Sequence, residues 1–174
     1  MNGTDFGSGA DTEAPRPQIA VVGPGDADER EMQLARGVGR LLAVGGAVVV
    51  TGGLGGVMSG ACEGASLADG MSIGLLPGPD RGPANPFVTV PVATGLGQGR
   101  NMLVVQTADA VVAIGRSPGT LSEIALAVRQ GKPVVLLASY PRPEDLLPGC
   151  ATAESPKEAV DLAFRLLGSG IPPG

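Results

Sequence analysis

Two stretches of this chain set glycines between an apolar run and a helical-looking segment, a place where backbone amides can meet an anion. One is Thr51-Gly52-Gly53-Leu54-Gly55-Gly56; the other is Gly115-Arg116-Ser117-Pro118-Gly119-Thr120-Leu121-Ser122-Glu123. The first amides of a helix lack intrahelical partners and carry partial positive charge, so each turn is suited to hold a phosphate. Arg100, in "TGLGQGRN", adds a full positive charge at the first turn of a helix, where the dipole favours anions. Its place asks for a partner: a ligand carboxylate or phosphate, or Glu123. Glu123 reads two ways. Beside a ligand, its carboxylate would oppose developing positive charge or orient water. As the last residue of Thr120-x-x-Glu123, it would close a capping box that needs no ligand.

Several other chemistries are excluded. There is no GxxxxGK[ST] motif, and "GPGDAD" after the first apolar run lacks the G-x-G-x-x-G spacing. The second run ends in Thr51 and glycines, without an acidic residue to grip a ribose, which disfavours NAD. The chain contains no histidine, so a Ser-His-Asp triad, an imidazole base and a histidine metal ligand are all absent. Cys62 and Cys150 are far apart and form no CxxC; no metal site is expected, and free thiols in a reducing cytoplasm account for both. The 12 basic and 17 acidic residues give a net charge of −5, and aromatics are 2%, a balance that suits neither nucleic acid nor an anionic membrane. The opening "MNGTDFGSGADTEAPRP" has neither the basic start nor the apolar centre of a signal peptide. The expected partner is a small anionic ligand, since helix N-termini and one arginine can hold a phosphate inside an acidic protein, and no cofactor is required.

The elements that would position these residues alternate. Apolar runs at 18–23, 47–53, 71–78, 87–92, 109–115 and 133–138 read as strands. Between them lie helical patterns in "DADEREMQLARGVGRLLAVG", from near Gly56, in "QGRNMLVVQTA" and in "TLSEIALAVRQ". A last helix, "SPKEAVDLAFRLL", opens on Ser155 as N-cap with Pro156 at its first position. Strands this continuous in Val, Ile and Leu are covered on both faces, as in a parallel sheet. The expectation is a single doubly wound, mostly parallel Rossmann-like α/β domain over 18–167, between disordered tails at 1–17 and 168–174.

"TGGLGGVMSGACEGA", "TGLGQGRN" and "GTLSEIALAVRQGKPVV" together resemble the LONELY GUY (LOG) superfamily, once labelled possible lysine decarboxylases. The similarity runs in order from Ile19 to Leu137 and is greatest to the bacterial branch that includes the molybdenum-cofactor carrier protein. The resemblance implies a homodimer or homotetramer and a nucleotide-sized pocket at the glycine turns. In LOG enzymes it also implies phosphoribohydrolase activity, the hydrolysis of nucleoside 5′-monophosphates to free base and ribose 5-phosphate. The alternative is a non-catalytic carrier of a nucleotide or molybdenum cofactor. The superfamily signature P-G-G-x-G-T-x-x-E matches at Gly119, Thr120 and Glu123, while Gly115, Arg116 and Ser117 stand where it has its proline and two glycines. Its catalytic arginine matches Arg100, with Asn101 in place of the following lysine. The implied catalytic residues are therefore Arg100 and Glu123, and the implied ligand-binding residues are Gly52, Gly53, Gly55, Gly56, Asn101, Ser117, Gly119 and Thr120. Decarboxylation through pyridoxal phosphate needs a lysine at the cofactor. The only lysines, Lys132 and Lys157, fall at the amino end of a strand and in the last helix, away from both turns.

Overall fold

A computed structural model of the chain describes residues 15–138 and 149–168. The Val-rich runs form seven strands: β1 (Gln18–Val22), β2 (Val48–Thr51), β3 (Ser72–Leu76), β4 (Val90–Ala93), β5 (Ala110–Ile114), β6 (Val134–Leu137) and β7 (Cys150–Ala153). The helices are α1 (Glu29–Val44), α2 (Val57–Ser66), α3 (Arg100–Thr107), α4 (Pro118–Arg129) and α5 (Pro156–Gly168). The sheet order is β4-β3-β2-β1-β5-β6-β7, and every neighbouring pair is parallel. The expected doubly wound α/β architecture is the one observed.

Alternate residues of each strand feed two separate cores, which is why the runs are apolar throughout. Ile19, Val21, Val49, Val112, Ile114 and Val135 pack under α1, α2 and α5. Ala20, Val22, Val50, Leu75, Val111 and Ala113 pack under α3 and α4. The chain builds outward from β1 through β2, β3 and β4, then returns to the other side of β1 with β5. The carboxyl ends of β1 and β5 therefore diverge into a crevice, the usual ligand position of an open parallel sheet.

Two strand expectations need correction. The run at 87–92 enters the sheet only from Val90, because Phe87 and Thr89 are engaged with Ser72 in a local cross-link: Ser72 Oγ donates to the Phe87 carbonyl at 3.3 Å and Ser72 N to Thr89 Oγ1 at 3.1 Å. β7 was not expected at all; its sequence, Cys-Ala-Thr-Ala, is half-exposed and too weakly apolar to stand out. Expectations for 1–14 and 169–174 lie outside the described residues, whereas Pro17 already receives a hydrogen bond from Val48 N. Among the described residues no helix is long and apolar enough to cross a membrane.

Candidate functional site

Of the two readings of Glu123, the capping box with Thr120 does not form. Ser117 is the N-cap of α4, Pro118 holds its first position, and Ser117 Oγ accepts from Thr120 N at 3.0 Å. Proline at the first turn has no amide to leave unsatisfied and its φ is already helical, so the helix starts three residues earlier than read. Glu123 consequently sits in the second turn, and its carboxylate is released from capping.

That carboxylate faces a pocket of about 140 Å³ at the β1/β5 crevice, lined by Glu123 with Val21, Val22, Gly23, Gly25, Gly52, Met58, Gln98, Arg100, Asn101, Ser117, Gly119 and Thr120. Glu123 is 6% exposed and Arg100 8% exposed. A short 3-10 turn at Gly97–Gly99 delivers Arg100 to the first residue of α3, which aims it under the carboxyl edge of β2. Burial raises the Glu123 carboxyl to about 7 even against the opposing pull of the positive charge on Arg100. Burial lowers Arg100 from its ordinary value, opposed by Glu123. The two are close enough to feel each other's charge, yet they do not form an ion pair within 4 Å among the described residues. Both keep polar edges for something else.

Of the ten residues expected at the site, the structure brings Gly52, Arg100, Asn101, Ser117, Gly119, Thr120 and Glu123 to the pocket, and leaves Gly53, Gly55 and Gly56 outside its lining. Two of the outside three have other work. Gly53 N donates to Thr51 Oγ1 at 3.1 Å, and its carbonyl accepts from Asn85 N at 2.9 Å. At Gly56, with φ +62°, a Cβ would strike the Pro24 carbonyl, so this turn presses backbone to backbone on the turn after β1. The α4 turn also has fewer donors than a bare helix start. Thr120 N is taken by Ser117 Oγ and Leu121 N by the Ser117 carbonyl, and Pro118 has none. Gly119 N, the Ser117 and Thr120 hydroxyls (2.8 Å apart), Asn101 and Gln98 remain as neutral polar groups around Arg100. Asn101 Nδ2 reaches Ser122 Oγ at 3.4 Å, and Ser122 Oγ donates to the Gly119 carbonyl at 2.7 Å, which ties the start of α3 to that of α4.

Gly23, Gly25, Met58 and Gln98 were not anticipated. The first two belong to "GPGDAD", set aside for its spacing; the turn lines the pocket because β1 ends beside β5, a fact of topology rather than motif. Met58 reads from sequence as an ordinary apolar helix residue. The lysines stand elsewhere: Lys132 Nζ donates to the Val105 carbonyl at 2.8 Å, to that of Gln106 at 2.9 Å and to that of Ala108, closing the carboxyl end of α3. Lys157 pairs with Asp161 on the exposed side of α5. Among the described residues no group of three His, Cys, Asp or Glu could hold a metal ion, and Cys62 and Cys150 are free thiols.

An all-parallel sheet with its polar pocket at the switch point defines a Rossmann-like α/β protein. Within that class the chain belongs to the SLOG cluster4 family, whose family model matches residues 16–161. The resemblance seen in the glycine turns and around Arg100 is thereby borne out. The structure of the molybdenum cofactor binding protein from Rippkaea orientalis is 36% identical, covering 89% of this chain and 99% of that one with a TM-score of 0.85. The molybdenum cofactor carrier protein from Chlamydomonas reinhardtii is 34% identical over 88% of this chain and 99% of that one, with a TM-score of 0.80. An uncharacterised protein from Archaeoglobus fulgidus is 38% identical over 144 residues, 83% of this chain and 92% of the relative.

Proposed function

We propose that this protein binds and carries a small phosphate-bearing molecule of the molybdenum-cofactor type, taken as cargo at the Arg100 pocket. The observation that carries this reading is the buried guanidinium of Arg100 at the crevice, surrounded by neutral hydrogen-bonding groups and only loosely opposed by Glu123. A guanidinium offers forked donors that match phosphate oxygens, and its low exposure strengthens the attraction. Gly119 N and the hydroxyls of Ser117 and Thr120 would complete the phosphate's ligands, with Asn101 bracing them. A pocket of about 140 Å³ is smaller than the roughly 300–1,000 Å³ of sites that enclose whole ligands. It suits the phosphate end of a larger molecule, whose remainder would lie across the open face. That is a sensible arrangement for cargo that must be handed on. Two relatives named for binding or carrying molybdenum cofactor, aligned over nearly their whole length, support the same reading. We further infer that the protein works in the cytoplasm and self-associates.

Hydrolysis of a nucleoside 5′-monophosphate is the second reading, favoured by a single feature. The Glu123 carboxyl, raised to about 7 beside Arg100, is poised to exchange a proton near neutrality, as a general base or acid requires. One pair of experiments separates the two. Ligand released from freshly purified protein is identified by mass spectrometry, and a panel of nucleoside 5′-monophosphates is assayed for free base. Carriage predicts a co-purified phosphate ester, loss of its retention in Arg100→Ala, and no base release. Base release that falls about a hundredfold or more in Glu123→Gln would replace carriage with hydrolysis.

A further inference from the structure

Gly52 is buried just past the end of β2, where it lines the pocket beside Arg100. Its neighbour Gly53 has φ +74°, a conformation that only glycine adopts without strain, but Gly52 has no such φ. Its backbone would accept alanine. What a side chain there would displace is Arg100: a Cβ built on Gly52 would fall inside the guanidinium, overlapping Nη1 and Cζ and lying 2.5 Å from Nη2. The flat guanidinium therefore lies directly on the bare Cα. Met58 closes in from the first turn of α2, with its thioether sulfur 4.0 Å from Arg100 Nη2. A long arginine side chain with no ion pair within 4 Å has little else among the described residues to fix it.

We propose that Gly52 is a positioning residue, the seat on which Arg100 is held at the pocket, with Met58 as its side wall. The Thr51-Gly52-Gly53 turn thus acts on an anion through the arginine rather than by cradling phosphate in its own amides. This deepens the carriage reading, since the affinity it explains is that of the Arg100 pocket.

The test is a double-mutant cycle of Gly52→Ala and Arg100→Ala, read by thermal unfolding and by binding of inorganic phosphate. Gly52→Ala should lower the unfolding temperature in the wild-type background. In the Arg100→Ala background it should leave that temperature unchanged or raise it, because the Cβ then has room and alanine restricts the unfolded chain. If Gly52→Ala alone does not fold but the double variant does, the seat is likewise upheld. An equal loss in both backgrounds, or failure of both variants to fold, would overturn it. For phosphate, Gly52→Ala and Arg100→Ala should each weaken binding tenfold or more, and the double variant no further than Arg100→Ala. A further loss in the double variant would show Gly52 contacting the anion itself and overturn the proposal. Unchanged phosphate affinity in Arg100→Ala would instead remove the carriage reading, while the unfolding cycle still decides the seat.

Discussion

Glu123 shows how one side chain ties stability to pH. Its carboxyl titrates near 4.5 in the unfolded chain and at about 7 in the folded one, because burial disfavours the charge. Between these values the folded state holds a proton that the unfolded state has lost. Stability from this group is therefore complete below about 4.5 and declines until about 7, above which it is flat. The gap corresponds to about 3 kcal/mol at most. Glu123→Gln has no proton to lose, so its unfolding free energy should lack this decline. Denaturant unfolding of both proteins at several pH values between 4 and 8 checks it, and parallel profiles would show that the carboxylate ionises freely in the fold. Arg100 was legible because a cation is unusual at a helix start, and Glu123 because the superfamily signature ends on it, its place behind a glycine turn being ordinary for an acid. Met58 and Gly25 were not legible, since a pocket-lining methionine and a packing methionine look alike in sequence, and Gly25 acquires its role only when β1 lands beside β5.

At the scale of elements, the start of α4 serves both stability and binding, and the two can be separated. Ser117 caps the helix through Thr120 N and also lines the pocket. Ser117→Ala should cost about 1 kcal/mol by removing the cap. Ser117→Asp keeps an accepting oxygen at the N-cap and should hold stability within about 0.5 kcal/mol of wild type, while its negative charge repels an anion. Phosphate binding should then fall tenfold or more in the aspartate variant, measured by calorimetry beside a denaturant titration. Retained binding would place the anion away from this turn. The misplaced helix start has an instructive cause. Serine followed by proline marked the start of α5 at Ser155-Pro156, and the same pair at Ser117-Pro118 marks the start of α4. Thr120-x-x-Glu123, three residues on, offers a competing pattern that masks it. Capping-box spacing is local and cheap to satisfy by chance, and here the box that forms is Asp28-x-x-Glu31 at α1, with Asp28 Oδ1 accepting from Glu31 N at 2.8 Å. Most of the alternation of strand and helix was nevertheless readable, since strands buried on both faces must be apolar throughout. β7 escaped because an edge strand is freed from that demand.

At the scale of the whole molecule, the two faces of the sheet are covered unequally. Among the described residues three helices lie on one face and two on the other, and β4 at the edge is left half-open. Val90 and Val92 pair in register with Ile73 and Leu75, which place them on the α3/α4 face, where they remain 42% and 38% exposed. Met102 on α3 and Leu121 on α4 add apolar surface at 41% and 42% exposure. The charge pattern points the same way. The chain carries 17 acidic residues, yet α3 has none and the only one on α4 is the buried Glu123. Two copies of a protein of net charge −5 repel each other, and they do so least through helices that present no exposed carboxylate, as α3 and α4 do. Apolar surface at a charge-depleted centre is also the composition of homodimer interfaces. On the other face α1 and α5 bring Glu29, Glu31, Glu158 and Asp161, and the exposed Leu67 lies beside Arg36 and Arg40. Self-association is therefore expected through α3, α4 and β4. Sedimentation at micromolar concentration should show a dimer or larger assembly for the wild type. The pair Val90→Lys and Met102→Glu should sediment as a monomer while unfolding within a few degrees of wild type, because both side chains are already exposed and neither serves a core. A monomeric wild type would contradict self-association itself, and an assembly that survives both substitutions would move the interface to the α1/α2 side.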